Sequence, residues 1–232
     1  MCGRYTLAGP DPSSLRDRFG IGESVQIRRR YNVAPGDDVL AVTTDREGAP
    51  RGQVLRWGLV PHWAKDPKSL GLKLINARSE TMAEKASFRD AVERRRCLVI
   101  ADGFYEWEKR SSRVGGAKTP WWITRADHEP FAFAGLWATW RPAPDVEPLR
   151  TLTIVTTQAS PTLERVHDRM PVMLERADEE AWLAHDTPLD HVLSLCRPLE
   201  TTDMRAVGPA VGDARHDEPD CLDPAPEELS LF

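Results

Sequence analysis

Long apolar runs are missing from this sequence. The continuous apolar segments are short, as at residues 97–101, and none approaches the roughly 20 residues of a membrane-spanning helix. No basic region followed by an apolar stretch opens the chain, so no secretory signal is expected and the cytoplasm is the expected location. Cysteine is scarce: Cys2, Cys97, Cys196 and Cys221 are widely and irregularly spaced. There is no C-x-x-C or H-x-x-x-H pair, so no metal site is expected. A reducing compartment also argues against a structural disulfide. Cys97 and Cys196 lie in apolar runs and read as packing residues. A Gly-rich phosphate loop is absent as well, since "GIGES" at 20–24 lacks both the spacing and a preceding strand. No internal repeat and no regular βαβ rhythm is found, which excludes a solenoid and argues against a nucleotide-binding fold.

What remains is an ordinary globular composition, 41% hydrophobic and 29% charged, in a chain long enough to bury a proper core. The net charge of −5 is unevenly spread. Residues 213–232 carry seven acids against one arginine, which leaves the first 212 residues at +1. A near-neutral body can present a basic face, so the overall charge does not exclude nucleic acid. The acidic, proline-bearing tail from 213 on is expected to be loosely ordered. Residues 109–119 and 143–148 read as loops.

Strand-like segments dominate: 39–43, 53–57, 97–101, 104–108, 120–124, 131–137, 152–157 and 171–174. They are short, rich in β-branched and aromatic residues, and bounded by Gly, Pro and Asp. Asp102-Gly103 falls between two of them and signals a tight hairpin. Helices are fewer. Asp11-Pro12 reads as cap and first turn of a helix ending at Phe19-Gly20. Residues 84–95, 178–185 and 187–196 carry helical patterns, the last with Thr187-Pro188 as cap and first residue. Many strands with irregularly interspersed helices predict an α+β fold around a curved or barrel-like sheet.

The chemistry begins at "MCGRY". If Met1 is removed, Cys2 carries an α-amine and a thiol on adjacent carbons. The amine titrates near ~7.7–8.0 and is partly unprotonated at neutral pH. It can attack an aldehyde to give an imine, and the thiol can close a five-membered thiazolidine on the imine carbon. Such chemistry needs an acid/base. Asn76 in "LINARSET", Glu106 in "DGFYEWE" and His167 in "ERVHDRMPVML" are polar residues set in apolar segments. Each alone also serves as a satisfied structural hydrogen bond. A carboxylate among aromatics or a histidine suits proton transfer, and an amide can hold a reacting group. Arg4, Arg78 and Arg169 follow Cys2, Asn76 and His167 at i+2, the same face of a strand, which suits a polyanion. Trp63 sits in a polar, turn-like context, where an exposed ring can stack on an unpaired base. Trp137 and Trp182 read as core.

Taken together, the stretches "MCGRY", "RYNVAPG", "WGLVPHW", "INARSET", "ADGFYEW", "FAFAGLW", "TIVTTQAS" and "HDRMPVML" resemble, in order, the SRAP family, the SOS-response-associated peptidases whose bacterial and human members shield abasic sites. The resemblance runs to about residue 210. It implies a single SRAP domain over 1–212, with a twisted, barrel-like, mostly antiparallel β core and flanking helices. It implies a covalent thiazolidine crosslink between Cys2 and the aldehyde of an abasic site in single-stranded DNA. In that reading Cys2 is the nucleophile and Asn76 positions the N-terminus or the sugar. Glu106 is the acid/base for imine formation, and His167 donates a proton for opening of the sugar ring. Arg4, Arg78 and Arg169 contact phosphates, and Pro35 and Trp63 line the DNA groove. His62 stands where some relatives have a second aromatic, which weakens the expected stacking.

The implied partner is single-stranded DNA bearing abasic sites, with single/double-strand junctions a further form of it. No cofactor and no membrane are expected, and nothing demands more than a monomer. On DNA the protein would be associated with the nucleoid. Removal of Met1 is the peptidase-like step implied. Two other readings stay open. One is a thiol peptidase acting on other proteins, and the other is a non-covalent single-strand binder in which Cys2 is incidental.

Overall fold

A computed structural model describes residues 2–108 and 118–226. In chain order its elements begin with β1 (Tyr5–Leu7), α1 (Pro12–Phe19), β2 (Arg30–Val33), β3 (Asp38–Thr44) and β4 (Pro50–Trp57). There follow α2 (Pro67–Gly71), β5 (Asn76–Arg78), α3 (Arg89–Arg94), β6 (Arg96–Ala101) and β7 (Gly103–Trp107). The second half holds β8 (Pro120–Arg125), β9 (Phe131–Trp140), β10 (Leu149–Gln158), α4 (Pro161–Glu164) and β11 (Arg169–Pro171). The chain then adds α5 (Glu179–Leu183), α6 (Leu189–Ser194) and β12 (Thr202–Ala206).

Strands β10, β4, β3, β6 and β9 pair in that order, and β9 pairs back on β10, so the five close into a barrel. All these pairings are antiparallel except β4 with β10. Two short strands extend β10 beyond the barrel, β5 in parallel and β11 antiparallel. A second, wholly antiparallel sheet has the order β12-β8-β7-β1-β2. The fold is therefore α+β with a mostly antiparallel, barrel-like core and flanking helices.

Strands β3, β6 and β9 read as near-continuous apolar runs because both faces are covered, whereas β4 alternates buried and exposed residues. Side chains alternate with period two, and each parity enters a different core. Val42, Leu98, Ile100, Ala132 and Ala134 pack with Leu15, Phe19, Phe88, Trp182 and Val192 from the helical segments. Ala41, Cys97, Val99, Phe131 and Phe133 pack with Cys2, Tyr5, Phe104 and Ile123 of the second sheet and its N-terminal lead. Phe133 meets Tyr5, Phe104 and Phe131 edge to face, a favourable arrangement of ring quadrupoles. Trp182 is buried as expected. Trp137 is half-buried, with Arg95 over its ring.

The α1 signals hold in detail. Asp11 is extended, its carboxylate accepts from Ser13 N at 2.9 Å, Pro12 opens the helix, and Gly20 closes it in the left-handed conformation. The pattern over 84–95 shrinks to the six residues of α3, because 81–88 forms consecutive turns rather than a helix. The last helix begins at Leu189, after Pro188. The 171–174 segment is strand only to Pro171, although Met173 bridges to Phe133.

The hairpin expected at Asp102-Gly103 is not formed. β6 pairs with β3 and β9, and β7 pairs with β1 and β8. The dipeptide is instead the corner where the chain leaves the barrel for the second sheet. The buried Asp102 carboxylate accepts from Thr6 Oγ1, Ala8 N (2.8 Å) and Gly9 N (2.6 Å). Gly103 is required because a Cβ there would run into the Trp122 indole. A strong turn dipeptide marks a change of direction, but only long-range pairing decides which strands it joins.

Most of the expected 109–119 loop lies outside the described residues. The tail expected to be loose is, over 213–226, folded onto the second sheet. Its Asp217 carboxylate accepts from Tyr31 N (2.6 Å) and Asn32 N (2.7 Å) and pairs with Arg30. Cys221 is fully buried beside Tyr105, Val207 and Val211. The physical reason is that β2 is an edge strand whose open N–H groups need acceptors. A carboxylate read from sequence as solvated charge supplies them.

Candidate active site

Cys2 lies on the segment that leads into β1 and is fully buried. Arg4 O accepts from Tyr105 N at 3.0 Å, which continues the β1–β7 pairing back toward Glu106. Burial, with the Glu106 carboxylate adding to it, pushes the Cys2 thiol well above the ordinary thiol range. Glu106 itself is buried on β7, opposite Trp121 of β8. From the other side comes Asn76, the first residue of β5. Its Nδ2 donates to Cys2 O at 2.8 Å. Asn76 Oδ1 is buried and has no hydrogen-bond partner among the described residues. Sequence positions 2, 76 and 106 thus converge because β7 carries the N-terminal strand while β5, three residues long, docks on β10.

His167 stands in the turn between α4 and β11, its N–H bonded to Leu163 O at 3.0 Å. Its Nδ1 lies 3.0 Å from Arg169 N and 2.9 Å from Asp168 Oδ1. A neutral ring accepts from the Arg169 N–H. A protonated ring donates to Asp168. β11 and β5 flank β10 at the same level, with Thr156 opposite both Arg78 and Pro171. This places the His167 turn at the end of β10 to which Asn76 also belongs.

The three arginines differ from one another. Arg78 is exposed on β5. Arg4 is half-buried, with Nη1 donating to Asn32 Oδ1 (2.9 Å) and Val211 O (2.8 Å) and the guanidinium over Trp107. Arg169 has a side chain only 12% exposed and forms a two-pronged ion pair with Glu80. The same-face argument at i+2 therefore applies to Asn76 and Arg78, which share a strand. Cys2 and Arg4 precede β1, and His167 precedes β11.

Pro35 is partly exposed in the turn between β2 and β3, ahead of Gly36 at positive φ. Trp63 is 48% exposed. The adjacent Ala64 is anchored, its carbonyl accepting from Trp140 Nε1 at 2.8 Å, so the ring projects from a fixed backbone. Residues that sequence reasoning passed over are Glu80, Thr156, Asn32 and Asp217. Glu80 and Asn32 lie inside the quoted motifs "INARSET" and "RYNVAPG", but nothing in their spacing reveals the partners they find.

The fold and site define a protein in which a β-barrel and an attached sheet hold Cys2 against an amide and a carboxylate. The chain belongs to the SRAP family, described as SOS response associated peptidase, which matches residues 1–214. It is 38% identical over 229 residues to the abasic site processing protein YoqW of Bacillus subtilis, covering 96% of this chain and 99% of that one. It is 37% identical over 267 residues to the abasic site processing protein HMCES of Gallus gallus, covering 97% and 78% respectively. Among solved structures, a Bacteroides thetaiotaomicron protein superposes with a TM-score of 0.85 at 24% identity, over 97% of this chain and all of that one. A Bordetella bronchiseptica protein superposes with a TM-score of 0.73 at 25% identity, over 89% of this chain and all of that one. Among the described residues no helix is long and apolar enough to cross a membrane.

Proposed function

We propose that this protein recognises abasic sites in single-stranded DNA and shields them by a covalent bond through Cys2. The relatives named above are abasic site processing proteins. The observation that carries the reading is the Asn76 amide bonded to the Cys2 carbonyl, with Glu106 near enough to influence the thiol.

The chemistry begins with hydrolysis of the Met1–Cys2 peptide bond, which consumes one water and frees the α-amine. His167 protonates the ring oxygen of the closed sugar while the C1 hydroxyl gives up its proton to water, and the sugar opens to its aldehyde. The amine attacks the aldehyde carbon. Glu106 takes the amine proton and returns one to the departing hydroxyl, so that water leaves and an imine remains. The Cys2 sulfur then adds to the imine carbon while its proton passes to the nitrogen, closing the thiazolidine. From the free amine onward, one water is lost overall. A thiol held protonated by burial and by Glu106 suits this order, since the amine reacts first and the thiol second. It does not suit a thiol peptidase, whose attack requires a ready thiolate. Asn76 fixes the residue that carries both nucleophiles, so little motion separates the two steps. Arg4, Arg78 and Arg169 are assigned to the phosphates, and Pro35 and Trp63 to the groove, with Trp63 stacking on a base.

The test is a single-stranded oligonucleotide bearing one abasic site, mixed with the protein, denatured and run on a gel. A denaturation-resistant band is expected, with the mass of the protein lacking Met1 plus the DNA minus one water. Cys2→Ala and a Met1-retaining form should not produce it. Absence of the band from protein with verified Met1 removal would refute the covalent reading and leave non-covalent binding.

A further inference from the structure

We propose that Asn32, together with the C-terminal segment 211–217, positions Arg4 to receive a DNA phosphate. The acidic tail is then a component of the binding site and not a competitor for it. This rests on the assignment of Arg4 to a phosphate in the preceding section.

Asn32 is fully buried on the edge strand β2. Its Oδ1 accepts from Arg4 Nη1 at 2.9 Å. Its Nδ2 faces the carbonyls of Val211 (3.3 Å), Asp213 (2.9 Å) and His216 (2.7 Å). Arg4 Nη1 donates to the same Val211 carbonyl at 2.8 Å. A backbone segment some 207 residues further along the chain thus closes on the second residue after Cys2 through one amide side chain. An amide presents one acceptor and two N–H donors on a single planar group, which suits one guanidinium donor on one side and carbonyls on the other. A carboxylate would repel the three carbonyls, and an aliphatic side chain would remove the donor that the Asp213 and His216 carbonyls share.

The consequence for Arg4 is directional. One nitrogen is committed to the protein, and Trp107 supports the guanidinium face. Nε and Nη2 make no hydrogen bond to the described residues. A guanidinium held at one corner keeps its remaining donors in fixed geometry for a phosphate, which is where arginine surpasses a flexible cation.

Asp217 secures the arrangement by capping Tyr31 N and Asn32 N. Three of the tail's carboxylates have partners nearby. Asp213 pairs with Arg215, Asp217 with Arg30, and Asp220 with His216.

The experiment measures binding of a fluorescent oligothymidylate, free of abasic sites, by anisotropy over a range of NaCl concentrations. The proteins are the full chain, R4A, N32A and the double variant, with folding verified by circular dichroism. Each lost phosphate contact on a single strand lowers the slope of log K against log salt by about 0.7. R4A and N32A should each lower it by that one step, and the double variant should match either single. N32S, whose hydroxyl can still donate to one tail carbonyl, replaces N32A if the latter does not fold, with the same expectation. A purely structural Asn32 would lower the melting temperature and leave the slope untouched. A folded N32A or N32S with the full-chain slope, beside an R4A that loses one step, overturns the proposal alone, as does a double variant in which the two losses add. An R4A with an unchanged slope overturns it along with the assignment of Arg4.

Discussion

Glu80 and Arg169 form a two-pronged ion pair across the end of β10, and Arg169 Nη2 also donates to Thr156 O at 2.6 Å. Glu80 follows β5, which carries Asn76. Arg169 begins β11, two residues after His167. The pair therefore ties together the segments that hold the amide and the histidine. A phosphate that engages Arg169 has to share it with Glu80.

The hydrogen bond from Arg169 holds the Glu80 carboxyl below its usual range. A depressed folded-state pKa stabilises the fold fully above the unfolded value of about 4.3 and loses that contribution as pH falls through the folded value. Glu80 is 43% exposed, so the contribution is modest, roughly 0.5–1 kcal/mol. E80Q should therefore melt about 1–4 °C below the full chain at pH 7. The gap should close below pH 4 as the wild-type carboxyl protonates. Parallel thermal melts at pH 7 and pH 3 check it, and a gap of equal size at both would show that the charge is not responsible.

Asp102 anchors the sheet-to-sheet corner through three hydrogen bonds. D102A leaves the buried Ala8 N–H without its acceptor, at about 1–3 kcal/mol, and removes the bonds to the exposed Gly9 N and to Thr6 Oγ1, at about 0.5–1.5 kcal/mol each. The expected total loss is at least 2 kcal/mol. D102N keeps one acceptor oxygen and should fall between. Urea unfolding of the three proteins measures this, and a D102A midpoint equal to the wild type would contradict the anchoring role.

Phe133 is fully buried among three aromatic rings. F133A should cost about 3–5 kcal/mol, the usual range for a core phenylalanine. It joins the barrel to the strand that follows Cys2, so crosslinking should fall with stability. Denaturation followed by the gel assay reads both.

Trp63 offers the opposite case. It is exposed, so W63A should change stability by no more than about 0.5 kcal/mol. If it stacks on a base, binding of a single-stranded oligonucleotide should weaken by about 1–3 kcal/mol. Anisotropy titration decides, and unchanged affinity would remove Trp63 from the groove.

E106Q separates chemistry from binding. Loss of a general acid/base lowers rates by about 10²–10⁴. Crosslinking should slow by that factor while non-covalent binding persists. Equal rates for E106Q and wild type would assign the proton transfers elsewhere.

The sequence by itself determined the strands of the barrel, the cap and stop of α1, and the identity of Cys2, Asn76, Glu106 and His167 as candidates. Residues 39–43, 53–57, 97–101, 120–124, 131–137 and 152–157 all lie within observed strands, because apolar periodicity and turn residues are local properties that survive folding. The short strands β1, β2, β5 and β12 escaped, since three to five residues carry too little pattern and exist only through a partner. Tertiary structure alone decided that Asp102-Gly103 joins two sheets, that Asp217 caps β2, that Glu80 holds Arg169, and that Asn32 gathers Arg4 and the tail. Each of these is a hydrogen bond or ion pair between residues distant in the chain. A polar side chain has the same composition signature whether water or a buried N–H satisfies it, and only the fold selects between them.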